Sequence, residues 1–378
     1  MFKELIPQSS LKLVKYSGSQ IIERLGKELI SNVVASILIG ENLRTLTEGL
    51  TQRRVLLMNA SIIVTYLKAL SSIQNFNDVM TSMISTELNE SKNAKTKNKK
   101  KLSPDEKQYL CWFLGLTLKS IDNVTRDDTG LKDYIDDLDQ NLKETADVIE
   151  TQFGPISVDI TYQNKKNTLE WSSLIRCMLA IGAQTLAIRG SEKSIYGKLF
   201  EKFVLGSVIS ILGGTYINKH DVTKKHNVFW LSDREDTKHE KGKEERRESD
   251  ATFLLEPGVG FSFDIGFIGK GNPEISMDKM TRFDHLYKRG SDKHQMTTII
   301  LIDKIGENSR AKNLASRISG YLIQMSGTYW VKELAKDIHE TAPSFNNQLL
   351  HITDEESIQY IKNEVAKIDM SVFLSAAK

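Results

Sequence analysis

Two short strands joined by a tight turn are predicted by the stretch Phe261-Ser-Phe-Asp-Ile-Gly-Phe-Ile-Gly-Lys-Gly-Asn-Pro-Glu-Ile-Ser-Met-Asp-Lys279. The first strand carries Asp264 in the middle of an apolar run, and the second strand carries Glu274. Side chains alternate along a strand, so the phenylalanine side of the first strand faces the core and fixes its register. The pattern therefore predicts that Asp264 and Glu274 lie side by side on one face of the hairpin.

A pair of neighbouring carboxylates favours a metal site. Two close carboxylates repel each other, and a divalent cation removes that repulsion. Oxygen ligands from two acids and water suit Mg²⁺, which can polarise a phosphodiester and activate a water molecule. The alternative is that both acids are surface residues flanking a turn. Asp264 argues against it, because an acid without a partner is costly in the middle of an apolar strand.

Composition places the chain among ordinary globular proteins. It has 378 residues, of which 40% are hydrophobic and 26% charged, and a net charge of +2, so nucleic-acid binding would require local basic patches. Two cysteines, Cys111 and Cys177, exclude a disulfide framework and favour a reduced, cytoplasmic setting. The most apolar runs are about a dozen residues, below the roughly 20 of a membrane span, so no membrane association is expected.

The chain divides into a helical N-terminal lobe over 1–165 and a second domain over 166–378. Gly40 is a plausible helix stop, and Ser103–Glu106 form a capping box that begins a new helix. Between these features lies a basic stretch at about 91–102, which is either a solvated linker or a contact to a DNA backbone.

The second domain is predicted to be α/β (α+β) around a mixed sheet. Two helices come first, one broken at Gly190 and the other ended by Gly213 and the glycine that follows it. Short apolar segments rich in β-formers then alternate with helical ones, as in a mixed sheet. Besides the hairpin, the predicted strands are Ala-Thr-Phe-Leu-Leu (251–255), Thr-Thr-Ile-Ile-Leu-Ile-Asp (297–303) and Gly-Tyr-Leu-Ile-Gln-Met (320–325).

This order resembles the PD-(D/E)XK nuclease fold, whose core runs α-β-β-β-α-β. On this chain the core would be a helix at 196–212, the strand 251–255, the two hairpin strands, a second helix and the strand 297–303. More narrowly, the blocks 247–255, 263–283 and 297–310 resemble CfrBI-like type II restriction endonucleases. The resemblance covers roughly residues 195–335.

The resemblance implies roles for individual residues. Asp264 matches the first acid of the motif and Glu274 the second, both as metal ligands. Two positions after Glu274, where the motif has a lysine, this chain has Ser276. Lys279 is the first candidate to position the attacking water in its place, and Lys270 is the second.

Further acids are auxiliary candidates. By strand alternation Asp278 shares the face of Glu274, so it could be an extra ligand or orient the lysine. Glu201, on the helix before the sheet, and Asp250 could bind metal. An alternative assignment makes Asp250 the first acid and Asp264 the second, with Gly266 at the lysine position. It is less favoured, because it gives Glu274 no role.

The implied activity is Mg²⁺-dependent hydrolysis of double-stranded DNA at a specific sequence, leaving 5′-phosphates. Arg247, Lys270 and Arg282 are candidate DNA contacts. A palindromic site implies a homodimer, and a cognate DNA methyltransferase is the expected genetic partner in a prokaryotic cytoplasm. Two alternatives stay open: another PD-(D/E)XK nuclease, for repair or branched DNA, and an inactive DNA-binding module, which the missing motif lysine permits.

Overall fold

The computed structural model contains two compact units. One unit comprises Met1–Tyr16 and Gly49–Lys193, and the other comprises Ser17–Glu48 and Ser194–Lys378. The predicted division at 165 and 166 was drawn from composition and remains a prediction. The residues described are 1–15, 20, 23, 26–92, 101–124, 130–217, 226–232, 249–267, 295–304 and 320–377.

The elements are named here in chain order. The α-helices are α1 Gln8–Leu11, α2 Lys27–Leu38, α3 Leu43–Ser72, α4 Phe76–Lys92, α5 Pro104–Phe113, α6 Leu118–Val124, α7 Gly130–Phe153, α8 Trp171–Ile211, α9 Trp330–Thr341 and α10 Asp354–Lys367. Short 3₁₀ helices cover Phe2–Leu5, Gln348–Leu350 and Met370–Ala377. The strands are β1 Val158–Tyr162, β2 Lys165–Leu169, β3 Thr215–Tyr216, β4 Val228–Leu231, β5 Ala251–Glu256, β6 Val259–Gly266, β7 Gln295–Ile302 and β8 Gly320–Gln324.

The first unit is mainly helical and is built around a buried aromatic cluster. The ring of Phe2 stacks on Phe76 at 5.6 Å and meets Phe113 edge-on at 4.9 Å. Helix α5 begins at the predicted capping box: the Ser103 side chain accepts from the Glu106 N–H, and the Glu106 side chain accepts from the Ser103 N–H. This reciprocal cap satisfies two donors that a helix start leaves open.

A buried ion pair links the start of this unit to α8. The Arg54 guanidinium lies 3.0 Å from Glu192 Oε1, and both side chains are only 3% exposed. Arg54 also donates to the carbonyls of Leu13 and Val14, at 2.8 Å each. Two further guanidinium donors are thus used on the N-terminal segment, which compensates part of the desolvation cost of the buried charge.

Two sequence predictions about α8 are wrong. The segment before it forms the β1–β2 hairpin, whose turn residues Gln163 and Asn164 have positive φ, so the helix begins at Trp171 rather than near 167. Gly190 does not break the helix, which continues to Ile211. A glycine inside a helix costs only about 1 kcal/mol relative to alanine, and buried neighbours on both sides outweigh that cost.

The second unit holds a six-stranded mixed sheet in the order β3-β4-β5-β6-β7-β8. Strands β4, β5 and β6 form an antiparallel meander, whereas β7 lies parallel to β6 and β8 parallel to β7. The ends of β6, β7 and β8 therefore meet at one edge of the sheet. The predicted strands β5, β7 and β8 are confirmed, and a mixed α/β architecture is confirmed with them.

The meander is shifted by one strand from the prediction. Strand β4 was not predicted, although its sequence Val-Phe-Trp-Leu is typical of a buried strand. Strand β6 pairs with β5 over 259–263 and with β7 over 259–266. The pairing of 273–277 with β6 beside Asp264 remains a prediction. Residues 273–277 themselves lie outside the described part of the chain.

One face of the sheet is a buried aromatic face. The phenylalanines of β4, β5 and β6 point to one face and are fully buried: Phe229, Phe253, Phe261 and Phe263. The indole N–H of Trp330 on α9 donates to the Ile37 carbonyl of α2 at 3.0 Å. Helix α8 ends before Gly213, which has φ +93° as a glycine helix stop requires, and this prediction is confirmed.

Two of the described helices, α3 and α8, are long and apolar enough to cross a membrane by length and composition alone. The prediction that no segment reaches spanning length is therefore wrong, because apolar runs that looked separate belong to continuous helices. Their apolar windows are 44% and 39% buried inside the protein. Long core helices meet the same criterion, so the finding is weak evidence for a membrane.

Candidate active site

Asp264 is an acid held inside the sheet. Its strand β6 is hydrogen-bonded on both sides, and its register partner in β7 is Ile300. Only 6% of Asp264 is exposed, and its neighbours Phe263 and Ile265 are fully buried. A carboxylate in such surroundings costs several kcal/mol unless hydrogen bonds or a cation compensate it. This position therefore favours a functional role for Asp264.

Asp250 is the acid that the fold brings next to Asp264. It directly precedes β5, and the β5–β6 register pairs Ala251 with Phe263. One further step of the same antiparallel register sets Asp250 opposite Asp264. The Asp250 Oδ2 atom accepts a hydrogen bond from the Ile265 N–H at 3.0 Å, so the backbone beside Asp264 orients the second carboxylate.

Several predicted site residues lie outside the described residues. These are Glu274, Asp278, Lys279, Lys270, Arg247, Arg282 and the serine at the motif-lysine position, Ser276. What the described strands do establish is that β6 and β7 are parallel neighbours. Parallel strands need a crossover connection, and Glu274 falls in the sequence between these two strands.

Glu201 lies on α8 and is half-buried. Within the described ranges, no group of three or more histidine, cysteine, aspartate and glutamate side chains is close enough to hold a metal ion. The structure thus brings Asp250 and Asp264 together, and it does not add Glu201 to them as a third ligand.

Asp303 is a site-edge residue that the sequence reasoning missed. It directly follows β7, is 7% exposed, and accepts a hydrogen bond from the Asn42 side-chain amide. Burial raises the pKa of Asp303, while the hydrogen bond from Asn42 and the charges of Lys304 and Arg44 act in the opposite direction. The sequence signal was an acid at the end of a continuously apolar strand.

Three buried or half-buried carboxylates, Asp250, Asp264 and Asp303, therefore lie near the carboxyl ends of β6 and β7. In open α/β sheets, ligands bind outside the carboxyl ends of parallel strands. Carboxylate oxygens are hard donors, and two of them on neighbouring strands suit a hard divalent cation. Fold and site together define an α/β protein with an acidic, oxygen-rich sheet edge.

Comparison with known proteins identifies the family. Residues 27–310 match the family model described as CfrBI restriction endonuclease. The chain is 34% identical over 336 residues to "Type II restriction enzyme CfrBI" of Citrobacter freundii, an alignment that covers 89% of this chain and 88% of that protein. The chain belongs to the CfrBI restriction endonuclease family, whose members are type II site-specific deoxyribonucleases.

The family match begins well before residue 195, where the resemblance suggested by the sequence blocks starts, and ends at residue 310 rather than 335. It takes in most of the helical N-terminal part as well as Asp250, Asp264 and Asp303. No solved structure matches the chain.

Proposed function

We propose that this chain is a Mg²⁺-dependent type II restriction endonuclease of the PD-(D/E)XK superfamily. It hydrolyses phosphodiester bonds of double-stranded DNA at a specific sequence and leaves 5′-phosphates. The observation that carries the proposal is the placement of Asp250, directly before β5, opposite Asp264 on β6, with the Ile265 N–H donating to Asp250 at 3.0 Å. The order α8, then the β4–β5–β6 meander, then β7 beside β6 supports a core of this superfamily.

The register favours Asp250 as the first acid of the motif and Asp264 as the second. Gly266 then stands at the position of the motif lysine, so the cation that positions the water comes from another residue. Lys279 and Lys270 are the candidates for this role. In the competing assignment, Asp264 is the first acid and Glu274 the second.

The donor set fits Mg²⁺, because Asp250 and Asp264 offer carboxylate oxygens, the hard ligands that this ion takes. A bound Mg²⁺ would supply charge neutralisation of the phosphodiester and a lowered pKa for the attacking water. The protein keeps the carboxylates preorganised: Asp264 lies in a strand paired with β7 and, up to Phe263, with β5, and Asp250 is held by the Ile265 N–H. Preorganised charges act without reorganisation during the reaction.

Other roles follow from the same proposal. Glu201 and Asp278 are auxiliary acids, and Arg247, Lys270 and Arg282 contact DNA phosphates. A palindromic recognition site matches a symmetric homodimer. A cognate methyltransferase that modifies the same site is the genetic partner, and both act in the cytoplasm.

Digestion of phage DNA tests the proposal. With Mg²⁺ we expect discrete, reproducible fragments, and with EDTA we expect intact DNA that added Mg²⁺ again renders cleavable. The new 5′ ends should accept label from polynucleotide kinase only after phosphatase treatment. Cleavage that is equal in EDTA, or 5′ ends that are labelled without phosphatase, would contradict the proposal.

A further inference from the structure

The side chain of Asn42 hydrogen-bonds both to the N-terminus of α3 and to Asp303. Asn42 is the residue directly before α3, and its Oδ1 atom accepts from the N–H groups of Arg44 at 2.9 Å and Thr45 at 3.4 Å. This is the helix cap for which asparagine is among the preferred residues. Its Nδ2 atom donates to the carboxylate of Asp303.

The chemistry of the partners fixes the orientation of the Asn42 amide. Backbone N–H groups can only donate, and an ionised carboxylate can only accept. One orientation of the amide therefore satisfies both sides, and the flipped orientation satisfies neither. The charges of Arg44 and Lys304 act on Asp303 in the same sense, favouring its ionised form.

Asp303 is in turn tied to the backbone beneath the acid pair. Its N–H donates to the Gly266 carbonyl at 3.2 Å, and its carbonyl accepts from the Ser326 N–H at 3.1 Å. Gly266 is two residues after Asp264 and directly follows Ile265, whose N–H holds Asp250. A continuous hydrogen-bonded path thus runs from the start of α3, through Asn42 and Asp303, to the β6 segment that carries Asp264 and holds Asp250 through the Ile265 N–H.

We propose that Asn42 and Asp303 are positioning residues for DNA cleavage, which hold the end of β7 against β6 and so fix Asp250 and Asp264. By strand alternation, Asp303 faces away from the side of the sheet that bears Asp264, so it acts through the backbone. The inference rests on the proposed acid pair. Misplacing reacting groups by about 1 Å costs on the order of 10²-fold in rate, so a loosened pair should show in turnover rather than in DNA binding.

A swap of the two side chains tests this role. Asn42→Asp keeps the helix cap but sets two carboxylates against each other, and we expect kcat to fall by about 10–100-fold. Asp303→Asn keeps an acceptor for Asn42, and we expect a loss below about threefold. The double variant Asn42→Asp/Asp303→Asn restores a donor–acceptor pair with the roles exchanged, and we expect kcat to return to within about threefold of the wild type.

Three controls separate positioning from general destabilisation. Asn363→Asp is a matched exchange on the exposed face of α10. The KM for DNA should stay within about twofold in all variants, because phosphate contacts carry the affinity. Circular dichroism should show all variants folded at the assay temperature, and amide hydrogen exchange around Gly266 and Asp303 should be faster in Asn42→Asp alone.

The outcomes are distinguishable. If Asn42→Asp cuts as fast as Asn363→Asp, or if the double variant is no faster than Asn42→Asp, the positioning role is wrong. A rise in KM with unchanged kcat would also overturn it. Failure of the proposed acid pair would appear separately, as cleavage retained by Asp264→Asn or by Asp250→Asn in the same assay.

Discussion

Asp250→Asn is the substitution that decides which acid works with Asp264. The exchange removes one negative charge and leaves an amide oxygen that can still accept from the Ile265 N–H. In the unsubstituted protein this N–H donates to Asp250 Oδ2 at 3.0 Å. If Asp250 and Asp264 bind the cation together, the exchange removes a charge from the metal site and leaves the size of the side chain nearly unchanged. We therefore expect a folded protein with strongly reduced cleavage.

The magnitude follows from the surroundings of this pair. A unit charge at about 4 Å from another is worth about 4 kcal/mol at the effective dielectric of a protein edge, which is about 10³-fold in rate. The neutral amide oxygen should cost the folded state no more than about 1 kcal/mol. Asp250→Ala removes the acceptor from the fully buried Ile265, so it should cost about 1–3 kcal/mol of stability in addition to activity.

The assay is the single-turnover cleavage rate of Asp250→Asn and Glu274→Gln beside the wild type, with urea unfolding of each variant. Asp136→Asn, an exposed exchange on α7, is the matched control. A loss of about 10³-fold in Asp250→Asn and a much smaller loss in Glu274→Gln supports the Asp250–Asp264 pair. Wild-type rates in Asp250→Asn, with loss in Glu274→Gln, would refute the reasoning.

Three further predictions concern stability. Gly206→Ala would set a Cβ 2.6 Å from the buried Phe373 ring and should lower the free energy of unfolding by about 1–3 kcal/mol. The control is Gly197→Ala on the same helix, whose Cβ meets nothing within 4 Å and which should be neutral or stabilising by up to about 1 kcal/mol. Equal effects of the two substitutions in urea unfolding would contradict the packing argument. Burial and two neighbouring glutamates raise the pKa of Asp337 from 3.8 to about 6. The folded state therefore holds this proton more tightly, and the contribution of Asp337 to stability is lost as pH rises between these two values. Asp337→Asn should then raise the free energy of unfolding at pH 7 by an amount on the order of 1 kcal/mol after solvent screening, and it should not do so at pH 3.5. A gain that is independent of pH would contradict this. Arg54→Met leaves the buried Glu192 without its ion-pair partner and should lower the free energy of unfolding by about 3–5 kcal/mol. Lys367→Met, which removes an exposed lysine, should lower it by less than about 1 kcal/mol. Equal losses for the two variants in urea unfolding would refute this distinction between buried and exposed ion pairs.

Local patterns predicted the parts of the fold that depend on local physics. The capping box at Ser103, the stop at Gly213 and the apolar strands β5, β7 and β8 are encoded within a few residues each. Asp264 was identifiable because an acid inside an apolar strand is costly. Gly190 was misjudged because helix propensity is weak compared with the packing of the residues around it.

Strand partners could not be predicted in the same way. The pairing of β6 with β7 joins residues on either side of a long connection, and nothing near Asp264 signals it. The turn after β6 suggested a hairpin, so Glu274 was preferred over Asp250 as the second acid. Asn42 and Asp303 are 261 positions apart in sequence, and their contact depends on the tertiary fold.

The cleavage rate of Asp264→Asn in saturating Mg²⁺ tests the proposed site most directly. Asp264 belongs to both possible acid pairs, so its loss is decisive whichever partner is correct. We predict wild-type DNA affinity and unfolding behaviour, full activity of Asp136→Asn, and cleavage by Asp264→Asn reduced by about 10³-fold or more. Cleavage by Asp264→Asn at the wild-type rate and with the same fragments would contradict the placement of the active site at this sheet edge.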